Sequence, residues 1–172
     1  MDKKYELLKD DKIEYCGHTL YRIKALRQIA FIEEGTLGGY IESEENLSQE
    51  EDFSFVGGEA KVFCNSYIYG NAVICKNAIV KNIMVGGGFL ACGDCVLIGN
   101  SDGTDLDYSN AVVCDSACIK FSGKSYNLGL NSIIGGEIVM IVGQEESIGL
   151  SSGVDQREKF IKSNLKGEYV ND

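Results

Sequence analysis

The chain of 172 residues lacks proline, contains one histidine, and has no run of the roughly 18 apolar residues that a membrane-spanning helix needs. Because proline is absent, tight corners of the backbone must be made by glycine, asparagine, aspartate and serine, and 21 glycines are present. Positive charge is also scarce, since 16 Lys and Arg residues stand against 26 Asp and Glu residues. Nucleic acids and anionic membranes require a basic surface, so we expect neither as a partner.

The N-terminal segment MDKKYELLKDDK is charged and differs from the apolar core of a secretory signal peptide. The seven cysteines are an odd number without the spacing of a disulfide framework. Reduced thiols are typical of proteins inside cells. These features predict a cytoplasmic protein of one domain.

A period of six residues runs through the segments DFSFVG, GEAKVF, CNSYIY, GNAVIC and KNAIVK. The third position of each hexad is small and the fifth is β-branched and aliphatic, and both point to the same side of a strand. The third positions are Ser54, Ala60, Ser66, Ala72 and Ala78, and the fifth are Val56, Val62, Ile68, Ile74 and Val80. This repeat predicts a parallel β-helix with three hexads in each turn. An antiparallel meander is the alternative, but it has no need of the same small residue at every sixth position.

The predicted coil occupies residues 52–134, with a strand-rich cap at 1–51 and a further segment at 135–172. The open ends of a stacked coil expose unpaired backbone and apolar core, so something must cover them. Within the cap we expect two strands around a turn at Gly17-His18. Gly38-Gly39 is expected to form a second tight turn.

The six-residue frame becomes irregular after Lys81, where eleven residues stand in place of two hexads. We expect a loop around 102–107 and about three full turns of the coil plus partial ones. The apolar segments 135–143 and 147–152 predict a hairpin. Residues 154–167 have the apolar spacing of a short helix.

The segment CGHTLYRIKALR at 16–27, then GTLGGYIESEENLSQE at 35–50, and then the hexads resemble a family of small bacterial and phage hexapeptide-repeat proteins. The resemblance implies an all-β, left-handed parallel β-helix. It implies no reaction, so no catalytic residues carry over. Acyltransferases that use coenzyme A share this fold and employ a histidine as general base. His18 is the one candidate for that role, and the alternative is a turn residue hydrogen-bonded to the backbone.

Two cysteine pairs raise the question of a metal site. Cys92 and Cys95, with Cys114 and Cys118 about one turn later, could form a four-sulfur zinc site. Cysteine also serves as a small apolar filler at corners and inward positions, and we favour that interpretation. We therefore expect no metal and no cofactor.

Basic residues concentrate in the cap of this acidic chain. His18, Tyr21, Arg22, Lys24 and Arg27 form the candidate site for a small anionic ligand or an acidic partner surface. The alternative is that these side chains pair with the many glutamates of residues 42–51.

Taken together, the sequence favours a non-catalytic binding or structural protein of the phage or bacterial cytoplasm. A host protein or a small anionic ligand is the expected partner. We also expect a homo-oligomer, because Tyr67 and Tyr69 occupy outward positions that suit an interface. A coenzyme A-dependent acyltransferase is the alternative function.

Overall fold

The computed structural model describes residues 2–106, 110–126, 128, 132–143, 148–152 and 165. A short 3₁₀ helix, Glu44–Asn46, follows the third strand. In chain order the strands are β1 (Tyr5–Tyr15), β2 (His18–Ala25), β3 (Leu37–Ile41), β4 (Phe55–Val56), β5 (Lys61–Phe63), β6 (Tyr67–Ile68), β7 (Val73–Lys76), β8 (Ile79–Lys81), β9 (Ile83–Val85), β10 (Leu90–Gly93), β11 (Val96–Ile98), β12 (Thr104–Leu106), β13 (Val112–Val113), β14 (Cys118–Phe121), β15 (Ile133–Ile134), β16 (Ile138–Val142) and β17 (Ile148–Ser152).

The strands stack mostly in parallel as a β-solenoid, which confirms the predicted fold class. Three sheets form its faces. The largest has nine strands in the order β1-β2-β3-β5-β8-β11-β14-β16-β17. The second has the order β15-β13-β10-β7-β4, and the third has the order β12-β9-β6. The five stacked strands of the second face give about five turns, so the coil is longer than the three full turns expected.

The interior is filled by the hexad positions that the sequence marks. All five β-branched residues at the fifth positions are fully buried, and the small residues at the third positions are at most 2% exposed. A parallel ladder places like residues of successive turns directly above one another, as in the pairing of Val62 with Val80. The repeat therefore builds a continuous apolar column inside the coil.

The corners recur with the same period. Residues with positive φ stand at Gly58, Cys64, Gly70, Lys76 and Asn82, which are six residues apart. The left-handed region suits glycine and costs other residues energy, because their Cβ approaches the following carbonyl oxygen. The first position of each hexad thus turns the chain from one face to the next.

Successive turns differ in length. Val73 pairs with Phe55 and Leu90 with Val73, so the turn shortens from 18 residues to 17. Val112 pairs with Leu90, so the next turn has 22 residues. The short turn explains the eleven residues that stand in place of two hexads.

Two local predictions were wrong. Most of the loop expected around 102–107 is a strand, because Thr104 is fully buried and β12 pairs in parallel with β9. Residue 107 lies outside the described residues. The expected turn at Gly38 and Gly39 lies inside β3. A Cβ on Gly39 would come within 2.5 Å of the Ala60 carbonyl oxygen, so this strand needs glycine for close approach to the next turn.

The two ends of the solenoid carry antiparallel strands. β1, β2 and β3 extend the nine-stranded sheet at one end, and the turn between β1 and β2 is Cys16-Gly17, one residue earlier than expected. At the other end the predicted hairpin is confirmed, since β16 pairs antiparallel with β17. The helix predicted at 154–167 lies outside the described residues, apart from Leu165. No helix among the described residues has the length and apolar character needed to cross a membrane.

Lys4 is fully buried at the N-terminal end of the solenoid, which is uncommon for a lysine. Its ammonium group donates to Asp52 Oδ1 at 2.6 Å and to Ser54 Oγ at 3.0 Å. Asp52 Oδ2 accepts from the Gly70 N–H at 2.9 Å. Burial alone would raise the pKa of Asp52, but the hydrogen bonds from Lys4 and Ser54 hold that pKa below its usual value. The ion pair of Lys4 and Asp52 therefore links the N-terminal segment to the first hexad.

We predict that Lys4→Ala lowers the free energy of unfolding by about 3 kcal/mol, because it leaves the partly buried Asp52 carboxylate without its cation. Urea unfolding at neutral pH measures this change. Lys3→Ala is the matched control. The Lys3 ammonium pairs with Glu44 in solvent and is 57% exposed, so its loss should cost less than about 1 kcal/mol. Equal effects of the two substitutions would contradict the role given to the buried pair.

Candidate functional site at the hairpin tip

The tip of the β1–β2 hairpin folds against the outer side of the nine-stranded sheet. Between the pairs Leu8–Arg22 and Lys12–Tyr21, β1 advances four residues while β2 advances one, and such a bulge bends a strand. Phe63 follows the inward Val62 and so faces outward. The ring of Tyr15 meets Phe63 edge-on with the ring centres 5.8 Å apart, and the His18 ring lies 5.2 Å from it.

A second apolar cluster supports this contact. Phe63 is fully buried although it points away from the interior of the coil. The residues of this outer cluster come from the hairpin, the nine-stranded sheet and the C-terminal segment: Leu20, Tyr40, Phe63, Val96, Ile98, Cys118, Val139 and Leu165. The outer side of the large sheet is therefore packed, and the hairpin tip lies at the margin of this packing.

Three side chains with chemical function meet at the tip, and we call His18, Glu42 and Cys64 the tip cluster. His18 Nδ1 lies 2.9 Å from Glu42 Oε1. Cys64 Sγ lies 3.6 Å from His18 Nε2. Because a carboxylate only accepts hydrogen bonds, Nδ1 donates to Glu42, and in the tautomer that carries this proton alone Nε2 presents its lone pair to the thiol. The side chains of His18 and Glu42 are 31% and 34% exposed, so the cluster is open to ligands.

Asn46 holds two parts of the cluster together. Its Oδ1 accepts from the backbone N–H groups of Glu42 and Ser43, each at 3.0 Å. Its Nδ2 donates to the carbonyl oxygens of Cys64 at 3.0 Å and Ser66 at 2.9 Å. Asn46 is 2% exposed, so these bonds are shielded from water. One buried amide thus fixes the corner of Cys64 against the end of β3.

The environment of the Cys64 thiol favours its protonated form. Burial raises the pKa of Cys64, the neighbouring Glu42 and Cys16 add to this rise, and Lys81 opposes it. Glu42 also contacts the backbone of the same residue, because its Oε2 accepts from the Cys64 N–H at 2.8 Å. The carboxylate therefore orients both the imidazole and the corner that carries the thiol.

Arg22, one of the basic residues predicted as a binding site, is held by contacts within the chain. Its Nε lies 2.8 Å from Asp11 Oδ2, and one terminal nitrogen lies 3.0 Å from Glu59 Oε1. Another terminal nitrogen donates to the Gly38 carbonyl oxygen at 2.8 Å, and the guanidinium lies over the Tyr40 ring. These contacts tie the hairpin to the first two turns.

The other predicted residues have separate partners. Arg27 pairs with Glu51 at 2.6 Å, and Lys24 lies 3.9 Å from Glu6. The ring of Tyr21 lies beneath the Lys9 ammonium at 4.1 Å. The Arg27–Glu51 ion pair agrees with the interpretation that glutamates of residues 42–51 pair with the basic side chains of the cap. The anion site stays a prediction.

The cysteines outside the tip follow the periodicity of the coil. Cys75 and Cys92 are partners in adjacent strands, and Cys114 follows β13 in the next turn, so the three form an outward column. Cys95 and Cys118 are fully buried. Burial raises the pKa of Cys95 to about 12, which suits the predicted role of an apolar filler.

Glu42 and Cys64 are the residues that sequence reasoning missed. A signal for them exists in the register, since Ile41 pairs with Val62, which places the following residues of both strands near one another. That pairing spans 21 residues, whereas the hexads predict 18. The signal could not be used without knowing the length of the first turn.

No protein-family model matches the chain, and a search of curated proteins gives no match. The membership in a hexapeptide-repeat family that the sequence suggests therefore stays a prediction.

We predict that Asn46→Ala lowers the free energy of unfolding by about 2–3 kcal/mol, because it leaves buried backbone groups without partners. It should also speed alkylation of Cys64, because the corner that shields the thiol is loosened. Urea unfolding and mass-spectrometric mapping of alkylated thiols measure the two effects. Asn65→Ala is the control, since Asn65 is exposed and donates one long bond of 3.4 Å to Ser101. An Asn46 variant that behaves like the control would contradict this assignment.

Proposed function

We propose that the protein is a non-catalytic binding protein in which the β-solenoid is a rigid frame and the tip cluster is the binding site. The observation that carries the proposal is the 3.6 Å contact of Cys64 Sγ with His18 Nε2, oriented by Glu42. These groups come from three separate parts of the chain and remain partly exposed. A soft sulfur, an imidazole and a carboxylate at one place are donor groups suited to a ligand.

Two features favour binding over nucleophilic catalysis. A cysteine nucleophile is activated by a lowered pKa, whereas burial raises the pKa of Cys64. Acyl transfer also needs hydrogen-bond donors for the oxyanion, and the nucleophile's own backbone N–H commonly serves as one. Here the Cys64 N–H is already bonded to Glu42.

The expected partners follow from the sequence and remain part of this proposal. A homo-oligomer is supported by Tyr67 and Tyr69, whose rings stack with centres 5.4 Å apart, and by Met84, which is 40% exposed on the next strand of that face. Stacked aromatic rings beside an apolar side chain are typical of interface cores. The resemblance to hexapeptide-repeat proteins supports a left-handed winding, a phage or bacterial origin, a cytoplasmic location, and a host protein or small anionic ligand as partner.

Acyl transfer from coenzyme A is the second candidate, and the His18–Glu42 pair is the observation that favours it. A histidine oriented by a carboxylate is the arrangement of many general bases. For this role an acceptor would have to displace the Cys64 thiol from Nε2. If the wild type turns over acetyl-coenzyme A, and His18→Ala slows that turnover by about 10²–10⁴-fold, acyl transfer replaces the binding proposal. Release of coenzyme A, followed by chromatography, measures this.

We predict that the protein, purified gently from the cells that encode it, retains a ligand that native mass spectrometry detects. His18→Ala should lose the retained mass because it removes the central group of the tip cluster. Cys114→Ala is the matched control, since that half-buried thiol lies on another face of the solenoid. The same spectra report the number of subunits.

A wild-type protein that carries no ligand would contradict the binding proposal. The same holds if the His18 variant retains the ligand as well as the Cys114 control does.

A further inference from the structure

We propose that the tip cluster is a zinc-type metal site in which Cys64 Sγ and His18 Nε2 bind the ion and Glu42 orients the imidazole, with Cys16 of the adjoining turn as the candidate for a second thiolate. This inference rests on the proposed binding role and names the class of ligand. Zinc prefers thiolate and imidazole donors, and a mixed set of this kind is unsuited to calcium or magnesium. Binding replaces the Cys64 thiol proton, which passes to solvent as the metal–sulfur bond forms.

The distance between the two principal donors fits a tetrahedral ion. Zinc lies about 2.3 Å from sulfur and about 2.0–2.1 Å from nitrogen, so tetrahedral angles place the two donor atoms about 3.6 Å apart. Cys64 Sγ and His18 Nε2 are 3.6 Å apart. One donor atom from each of His18, Glu42 and Cys64 lies within 4.8 Å of the other two. The Cys64 and His18 donors therefore need little rearrangement to accept the ion.

Glu42 supplies the outer contact that metal-binding histidines require. Histidine ligands usually donate their second ring N–H to a carboxylate, which fixes the ring and its tautomer. Here His18 Nδ1 is bonded to Glu42 Oε1 at 2.9 Å, which leaves Nε2 to bind the metal. Asn46 is hydrogen-bonded to the Glu42 N–H and to the Cys64 carbonyl oxygen, and Glu42 accepts from the Cys64 N–H. These bonds hold Glu42 and the corner of Cys64 in place.

Cys16 brings a further thiol from the hairpin turn. It lies two residues before His18 and packs against the same outer cluster as Cys64. With Cys16 the site offers two thiolates and one imidazole, and a fourth position stays open for water or a further ligand.

The backbone at both cysteines permits substitutions that remove a thiol and preserve the fold. Cys64 has φ of 58°, so Cys64→Gly removes the sulfur and relieves backbone strain. Lys76→Gly is the matched control, because Lys76 has φ of 57° at an equivalent corner and lies outside the cluster. Cys16 and Gly17 both have positive φ in a two-residue turn, and Asn-Gly is the preferred sequence there, so Cys16→Asn should fold well.

The test is a titration with cobalt(II), after removal of bound metal by a chelator under reducing conditions. We expect the wild type and Lys76→Gly to develop thiolate-to-cobalt charge-transfer absorption with one equivalent, and zinc to displace the cobalt. Cys64→Gly should lose this absorption. Cys16→Asn should weaken it, and Glu42→Gln should lower the affinity about 10–100-fold through the loss of ring orientation. Circular dichroism verifies that each variant is folded.

The proposal is overturned if the wild type gives no charge-transfer absorption, or if Cys64→Gly titrates like the wild type. Absorption that persists in Cys64→Gly and disappears in Cys92→Ser would place the metal on the outward cysteine column instead. A failed titration, together with a retained mass that His18→Ala removes, would reject zinc and leave the binding role intact.

Discussion

The structure depends on the narrow interior of the coil, which accepts one small and one β-branched side chain from each hexad. In-register stacking of parallel strands repeats this packing in every turn, so each turn supports the next. The cost falls on the corners, where the backbone must enter the left-handed region at each sixth residue. Glycine fills some corners, and Lys76, Asn82 and Cys64 fill others at an energetic cost. The apolar column is continuous, and the free energy gained by burying it outweighs the strain at the corners.

A rigid coil leaves its outward positions available for other tasks. The nine-stranded sheet uses its outward positions for a second apolar cluster around Phe63, and this cluster gives the hairpin a surface to pack on. The ion pairs of Arg22 and Arg27 then fasten the hairpin to the solenoid, so most of the cap's positive charge is used for structure. The tip cluster is positioned by all of these contacts, although none of them belongs to it.

The sequence predicted the coil because its information is local and repeated. A small residue and a β-branched residue at fixed positions determine the inward face without knowledge of distant contacts, and all ten of those residues are buried. The irregular parts were harder to predict. The expected turn at Gly38-Gly39 is a strand, because the reason for those glycines is the approach of Ala60 from the next turn, and a distant contact of this kind leaves no local pattern.

The tip cluster was harder still to predict, because it too depends on contacts between distant parts of the chain. His18 could be singled out because histidine occurs once in the chain. Glu42 stood among many glutamates, and Cys64 among seven cysteines that mostly suit an apolar filler. Their meeting depends on the bulge in β1 and on the 21-residue first turn, which the hexads do not encode.

Position alone does not mark Cys64 as functional, since Lys76 and Asp115 adopt the same backbone conformation at other corners. What separates Cys64 from them is the set of its three contacts. Its thiol meets an imidazole, its N–H meets the carboxylate that orients this imidazole, and its carbonyl oxygen meets a buried amide. Glycine would satisfy the corner and the two backbone bonds equally well, and it would do so with less strain. The corner therefore does not require the sulfur, which is why we assign the sulfur to binding.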